Sequence, residues 1–173
     1  MKKAIIVVLV LVMGLFTGCS AWYSYADVEK KVEEVGETIT EAIKTKDADL
    51  LKTVLSEKAL VTDDLDKGID YLFSFVDEEI SSVETLARPE SRHYDGAQRK
   101  YSVEFLCMYS ISTNSGKEYL LYFCYNTVQD FDETELGVNR IMILVDDDLP
   151  SEYKVITEYT RAGIVTPDWS DDD

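Results

Sequence analysis

Three cysteines, one histidine and several runs of aspartate are the side chains here with the readiest covalent, proton-transfer or metal chemistry. His93 sits in Glu90-Ser91-Arg92-His93-Tyr94-Asp95. Glu90 or Asp95 could orient it as a general base. Ser91 shares its strand parity, yet no placed nucleophile completes a mechanism, and a histidine near a turn at a strand end explains the pattern as well. Asp63-Asp64-Leu65-Asp66 and Asp146-Asp147-Asp148 offer oxygen ligands for calcium. Neither run carries the glycine and closing glutamate of a calcium loop, and helix capping and turn formation account for both. Gly-rich phosphate loops and a GxSxG elbow are absent. The motifs assign no catalytic residue, no metal and no cofactor.

Cys107 and Cys124 flank Asn114-Ser115-Gly116-Lys117, a turn signal between two apolar runs. A four-residue turn pairs Thr113 with Glu118 and so sets Cys107 opposite Cys124. Outside the cell the two could form a cross-strand disulfide, given a close, non-hydrogen-bonded pair. The alternative is two buried free thiols packed as small hydrophobes. With no histidine or further cysteine beside them, they are not a zinc set. The same register gathers Phe105, Tyr109 and Tyr122 on the cysteines' face. Together with His93 they form a candidate pocket lined by rings, with tyrosine hydroxyls at its mouth; ordinary core is the other reading. Tyr119, Phe123 and Tyr125 fall on the opposite face, a protein-contact patch if that face meets water.

The third cysteine closes the segment MKKAIIVVLVLVMGLFTGC. Lys2 and Lys3 precede an apolar run over 4–16, and small residues follow, which is the layout of a signal peptide over 1–18. The run is too short for a hydrocarbon core of ~30 Å, which takes about 20 residues. Phe16-Thr17-Gly18-Cys19 resembles a bacterial lipobox, with Phe16 where leucine is usual. The resemblance implies that Cys19 receives a diacylglyceryl thioether and becomes the new N-terminus, carrying fatty acyl groups such as palmitate. Two chains, each contributing about 0.8 kcal/mol per buried CH₂, suffice to hold a protein at the cell membrane on its extracytoplasmic side.

Behind these residues stand the elements that must position them. Hydrophobic residues are 46% and charged residues 29%, a balance that supports a packed core. Net charge is −17, and loss of Lys2 and Lys3 with the signal takes it to −19. Such a field repels nucleic acid and an anionic bilayer surface, so no nucleic-acid partner is expected and the membrane is reached through Cys19. Residues 19–26 read as a tether, 27–169 as one α+β domain and 170–173 as an acidic tail. Val28, Val32, Val35, Ile39, Ala42 and Ile43 make one apolar helical face. A second short helix follows Asp47 with Leu50, Leu51, Val54 and Leu55. A third follows Asp63 or Asp64 with Leu65, Ile69, Leu72, Phe73 and Val76. Alternation then predicts strands over 80–85, 91–94, 98–112, 118–128, 138–146 and 153–160. Helices first and hairpin-linked strands after is an α+β order. We expect three N-terminal helices packed on a curved antiparallel sheet of about five strands.

Glu41-Ala42-Ile43-Lys44-x-Lys46-Asp47, Leu55-Ser56-Glu57-Lys58-Ala59-Leu60, Asp64-Leu65-Asp66-x-Gly68-Ile69, the strand 117–123 and Leu136-Gly137-Val138-x-Arg140-Ile141 resemble a family of short bacterial lipoproteins, domain of unknown function 5104. The resemblance covers about residues 28–169. It implies a cystatin-like or nuclear transport factor 2-like cone and no activity. The expected role is that of a lipid-anchored cell-envelope protein, more a non-catalytic binding or accessory domain than an enzyme, with an unknown protein or small molecule as its ligand. The alternative is an isomerase- or hydrolase-type enzyme with an aromatic cone pocket.

Overall fold

The computed structural model describes residues 20–145 and 161–166. The segment read as a signal peptide, Cys19, the run 146–148, the strand expected over 153–160 and the stretch read as an acidic tail lie outside them. Two compact units divide the chain, Met1–Glu34 and Val35–Asp173. Helix α1 (Ser20–Thr45) spans the boundary and begins inside the segment read as a tether. In the first unit it exposes its charges, with Lys30 and Glu34 paired at 3.4 Å across one turn.

In the second unit α1 buries Val35, Ile39, Ala42 and Ile43, the expected apolar face. Lys46 ends it in the left-handed region (φ 57°), and its ammonium group donates to the carbonyls of Phe73 and Val76. These are open acceptors at the end of another helix, which a cation satisfies. Asp47 then caps α2 (Ala48–Lys52), accepting from the Leu50 amide at 2.9 Å. The sequence predicts one short helix through Leu55, but α2 stops at Lys52. Leu55 instead forms an isolated parallel bridge to Val138, with Ser56 N donating to Val138 O and Val138 N to Val54 O, both at 2.9 Å. Ser56 caps a further helix, α3 (Glu57–Leu60), that apolar periodicity does not reveal because it is one turn long. Helix α4 (Leu65–Phe75) buries Leu65, Ile69 and Leu72. The described residues thus hold four α-helices, against the three helices expected.

Six strands follow: β1 (Ile80–Ala87), β2 (Glu90–Asp95), β3 (Lys100–Thr113), β4 (Glu118–Gln129), β5 (Gly137–Val145) and β6 (Gly163–Ile164). The order is β1-β3-β4-β5-β6, with β2 also on β3. β1 and β2 lie end to end along one edge of β3, joined across Pro89, whose carbonyl accepts from Leu106 N at 3.0 Å. Pro89 lacks a ladder donor, which suits an edge. The sheet is not wholly antiparallel, since β6 pairs with β5 in parallel.

Register decides which side chains meet. Thr113 N donates to Lys117 O at 3.0 Å, and Gly116 takes φ 86°. The hairpin loop therefore has three residues, 114–116, with glycine at the left-handed position that such loops demand. Thr113 pairs with Lys117 instead of Glu118, and every following pair moves by one: Cys107 faces Phe123, and Leu106 faces Cys124. The expected register returns only past a bulge, where Val103 meets Val128. A slip of one residue turns a strand over. The face toward the helices accordingly holds Phe105, Cys107, Tyr109 and Ile111 of β3 with Tyr119, Leu121, Phe123 and Tyr125 of β4, all buried.

Candidate functional site

The register separates residues that the sequence reading placed together. Phe105 and Tyr109 lie buried on the helix-facing side. Tyr122 points to the reverse side and is half-buried. His93 is exposed on β2, paired with Ser102, its ring 5.3 Å from that of Phe131. The four do not line one cavity. Tyr119, Phe123 and Tyr125, a contact patch had their face met water, are core, because the three-residue turn carries them inward.

Rings fill the helix-facing side. Tyr109 stacks on Phe123 (centroids 5.6 Å apart, 18° between planes), and Phe75 meets Tyr119 edge-on at 5.8 Å. The Tyr109 hydroxyl presses into α1 at Gly36, where a Cβ would lie 2.1 Å from the oxygen. Only a residue with no side chain permits that approach.

Cys107 and Cys124 are both free and buried. They belong to opposite faces, which corrects the cross-strand disulfide: residues directly opposite share a face, and these two are not opposite. Burial pushes the Cys107 thiol up to about 12 and the Cys124 thiol up to about 11, with Glu104 adding to the latter. Neither is a nucleophile at neutral pH. Around Cys124 the reverse face builds a second small core with Met142 and Val165, bordered by Leu106, Tyr122 and Leu144. Beside it Arg140, the partner of Cys124 in the ladder, holds Glu104 at 3.1 Å. Alternation along the strands could have placed Glu104 and Arg140 on one face; pairing them needed the correct register.

The aspartate run at 63–66 supplies no side-chain cap to α4. Asp64 stands at the N-cap of α4 without a capping bond, and its carboxylate is engaged by Arg161. Asp66 pairs with Lys52 at 2.8 Å. Asp95 does form a turn, accepting from Ala97 N at 2.8 Å and Gln98 N at 3.1 Å, and these bonds hold its carboxyl below the usual value. Among the described residues no three His, Cys, Asp or Glu side chains converge as metal ligands.

Two surface features remain that the sequence reading did not single out. One is an open cleft of about 560 Å³ lined by Val61, Thr62, Asp63, Asp64 and Arg161. The other is the outer edge of the sheet. β1 is exposed through its middle, Val83 and Leu86 being 41% and 51% accessible. A groove of about 200 Å³ runs between it and α1, lined by Thr40, Glu41, Lys44 and residues 80–83.

No helix among the described residues is long and apolar enough to cross a membrane. No curated protein matches the chain. A family model described as a domain of unknown function (DUF5104) matches residues 38–157, more than half of the sequence.

Proposed function

The chain belongs to the DUF5104 family, and on that footing we propose that it is a lipid-anchored envelope protein whose domain binds a partner at its surface and carries out no reaction. The anchor rests on Phe16-Thr17-Gly18-Cys19 at the end of a short apolar leader. The single observation that carries the binding reading is the packing of the helix-facing sheet. Its aromatic rings, Tyr109, Tyr119 and Phe123, are at most 5% exposed and pack against Gly36 of α1, Phe75 of α4 and one another. Recognition then falls to the outside of the domain. Helices followed by a mostly antiparallel sheet also support a nuclear transport factor 2-like arrangement as the fold of this reading. Such a fold hosts enzymes and binding proteins alike, so the buried rings carry the functional reading instead of the fold.

Fractionation of the Cys19→Ser variant tests the anchor. Under this reading the variant leaves the membrane fraction or accumulates as uncleaved precursor. Normal processing with unchanged membrane recovery would overturn it. The cleft at Arg161 favours a small polar ligand as a second reading: its wall carries a guanidinium group, two carboxylates and a hydroxyl. A ligand there would lose affinity on Arg161→Ala while the fold is kept.

A further inference from the structure

The far side of β1 pairs with no strand among the described residues, and β2 continues the same open border. An unpaired strand presents a row of backbone donors and acceptors, which natural sheets usually blunt. Here the blunting is partial. Register shifts fall between Ile80 and Ser82 and between Thr85 and Ala87, leaving Ser82–Thr85 as a regular window between two irregular ends. Val83 pairs with Ile111, whose side chain is fully buried, yet Val83 itself is 41% exposed. The groove beside α1 opens next to this window, with Glu41 and Lys44 on its far wall.

The charge along this border is lopsided. Residues 77–95 carry six carboxylates (Asp77, Glu78, Glu79, Glu84, Glu90, Asp95) against two guanidinium groups, Arg88 and Arg92. Arg92 is engaged by Glu90. The whole chain, this border included, carries −17. Two copies meeting edge to edge would bring like charge against like charge, which is destabilising. A cationic strand meets the opposite condition and is steered in by the field.

We propose that the Ser82–Thr85 window of β1 is a docking edge for an extended, lysine- or arginine-bearing segment of a protein partner, added as a further strand. The backbone ladder gives affinity, and alternate side chains of the incoming segment give specificity. One of them enters the groove, its aliphatic stem against Val83 and its charged end at Glu41. This deepens the reading of the domain as a surface binder and rests on it.

Hydrogen exchange on the full-length protein in detergent, with two peptides, tests the idea. One peptide alternates lysine with valine, the other glutamate with valine. The lysine peptide is expected to slow amide exchange within Ile80–Ala87, and the glutamate peptide to leave it unchanged. Glu84→Lys, an exposed substitution that keeps the melting temperature, should weaken the lysine peptide about fivefold. No added protection in β1, equal protection by both peptides, or protection at the Arg161 cleft instead would overturn the proposal. So would concentration-dependent dimerisation that protects β1 without peptide. Acylation of Cys19, measured separately, distinguishes failure of this edge from failure of the anchored-protein reading.

Discussion

A cysteine reacts as its thiolate, so Cys107 and Cys124, both buried with their acidity suppressed, should be inert in the folded protein. We expect neither to take up an alkylating reagent at neutral pH, and both to take it up in denaturant without prior reductant. Mass spectrometry of the labelled protein checks this; two labels appearing only after reduction would mean a disulfide and a different register. Gly36 is the other informative residue. Alanine favours a helix over glycine by about 1 kcal/mol. Here the new methyl meets the Tyr109 ring, which is 5% exposed and stacked on Phe123, so it cannot withdraw. Overpacking of this kind costs about 1–3 kcal/mol. Gly36→Ala should therefore lower stability in chemical denaturation despite its better helix propensity.

At the scale of elements, one ion-paired cluster joins α3 to the short 3₁₀ helix Glu133–Glu135. Lys58 lies 2.7 Å from Glu135 and 3.3 Å from Asp132. The bond to Glu135 foremost, then that to Asp132, raises the Lys58 ammonium above its usual 10.5. The Thr134 hydroxyl foremost, helped by Lys58, holds the Asp132 carboxyl below its usual 3.8. A lowered carboxyl adds stability above its ordinary value and loses it as pH falls through the depressed one. A raised ammonium adds stability below its ordinary value and loses it as pH rises through the elevated one. The difference in melting temperature between wild type and Lys58→Met should be flat at neutral pH and shrink below 3.8 and above 10.5. Elements also mark what the sequence could tell. Apolar spacing located α1 and α4, and alternation located the first five strands, since burial of one face repeats at a fixed period. The hairpin register was not legible. It turned on whether Lys117 belongs to the turn or to β4, a matter of backbone geometry that side-chain pattern leaves open. From that single residue followed the wrong face for Tyr122 and Cys124 and the disulfide that the fold does not make. β6 escaped notice because two residues carry no periodicity. Lengthening the loop by one residue after Ser115 should force the expected register and unfold the domain, seen as loss of the cooperative thermal transition.

For the molecule as a whole, a proposed export address at the N-terminus precedes a domain whose helix-facing rings are buried and whose β1 edge is acidic and unpaired among the described residues. Under the proposed anchoring, the lipid would hold a domain of this charge near the membrane while the anionic surface repels its body. Raising ionic strength should therefore weaken capture of a cationic segment while leaving membrane retention unchanged, since only the first depends on screened charge. Co-sedimentation of the lipidated protein with vesicles, with and without the lysine–valine peptide, reads both in one experiment. Retention that fell with salt as steeply as peptide binding would mean that the domain touches the membrane through charge. The anchored reading depends on the nineteenth residue, and its most direct test is the intact mass of the protein extracted from the membrane of the cells that make it. The account predicts a chain beginning at Cys19 with the mass of a diacylglyceryl group on its sulfur. A chain that keeps Met1, or one that starts elsewhere without lipid, would contradict it.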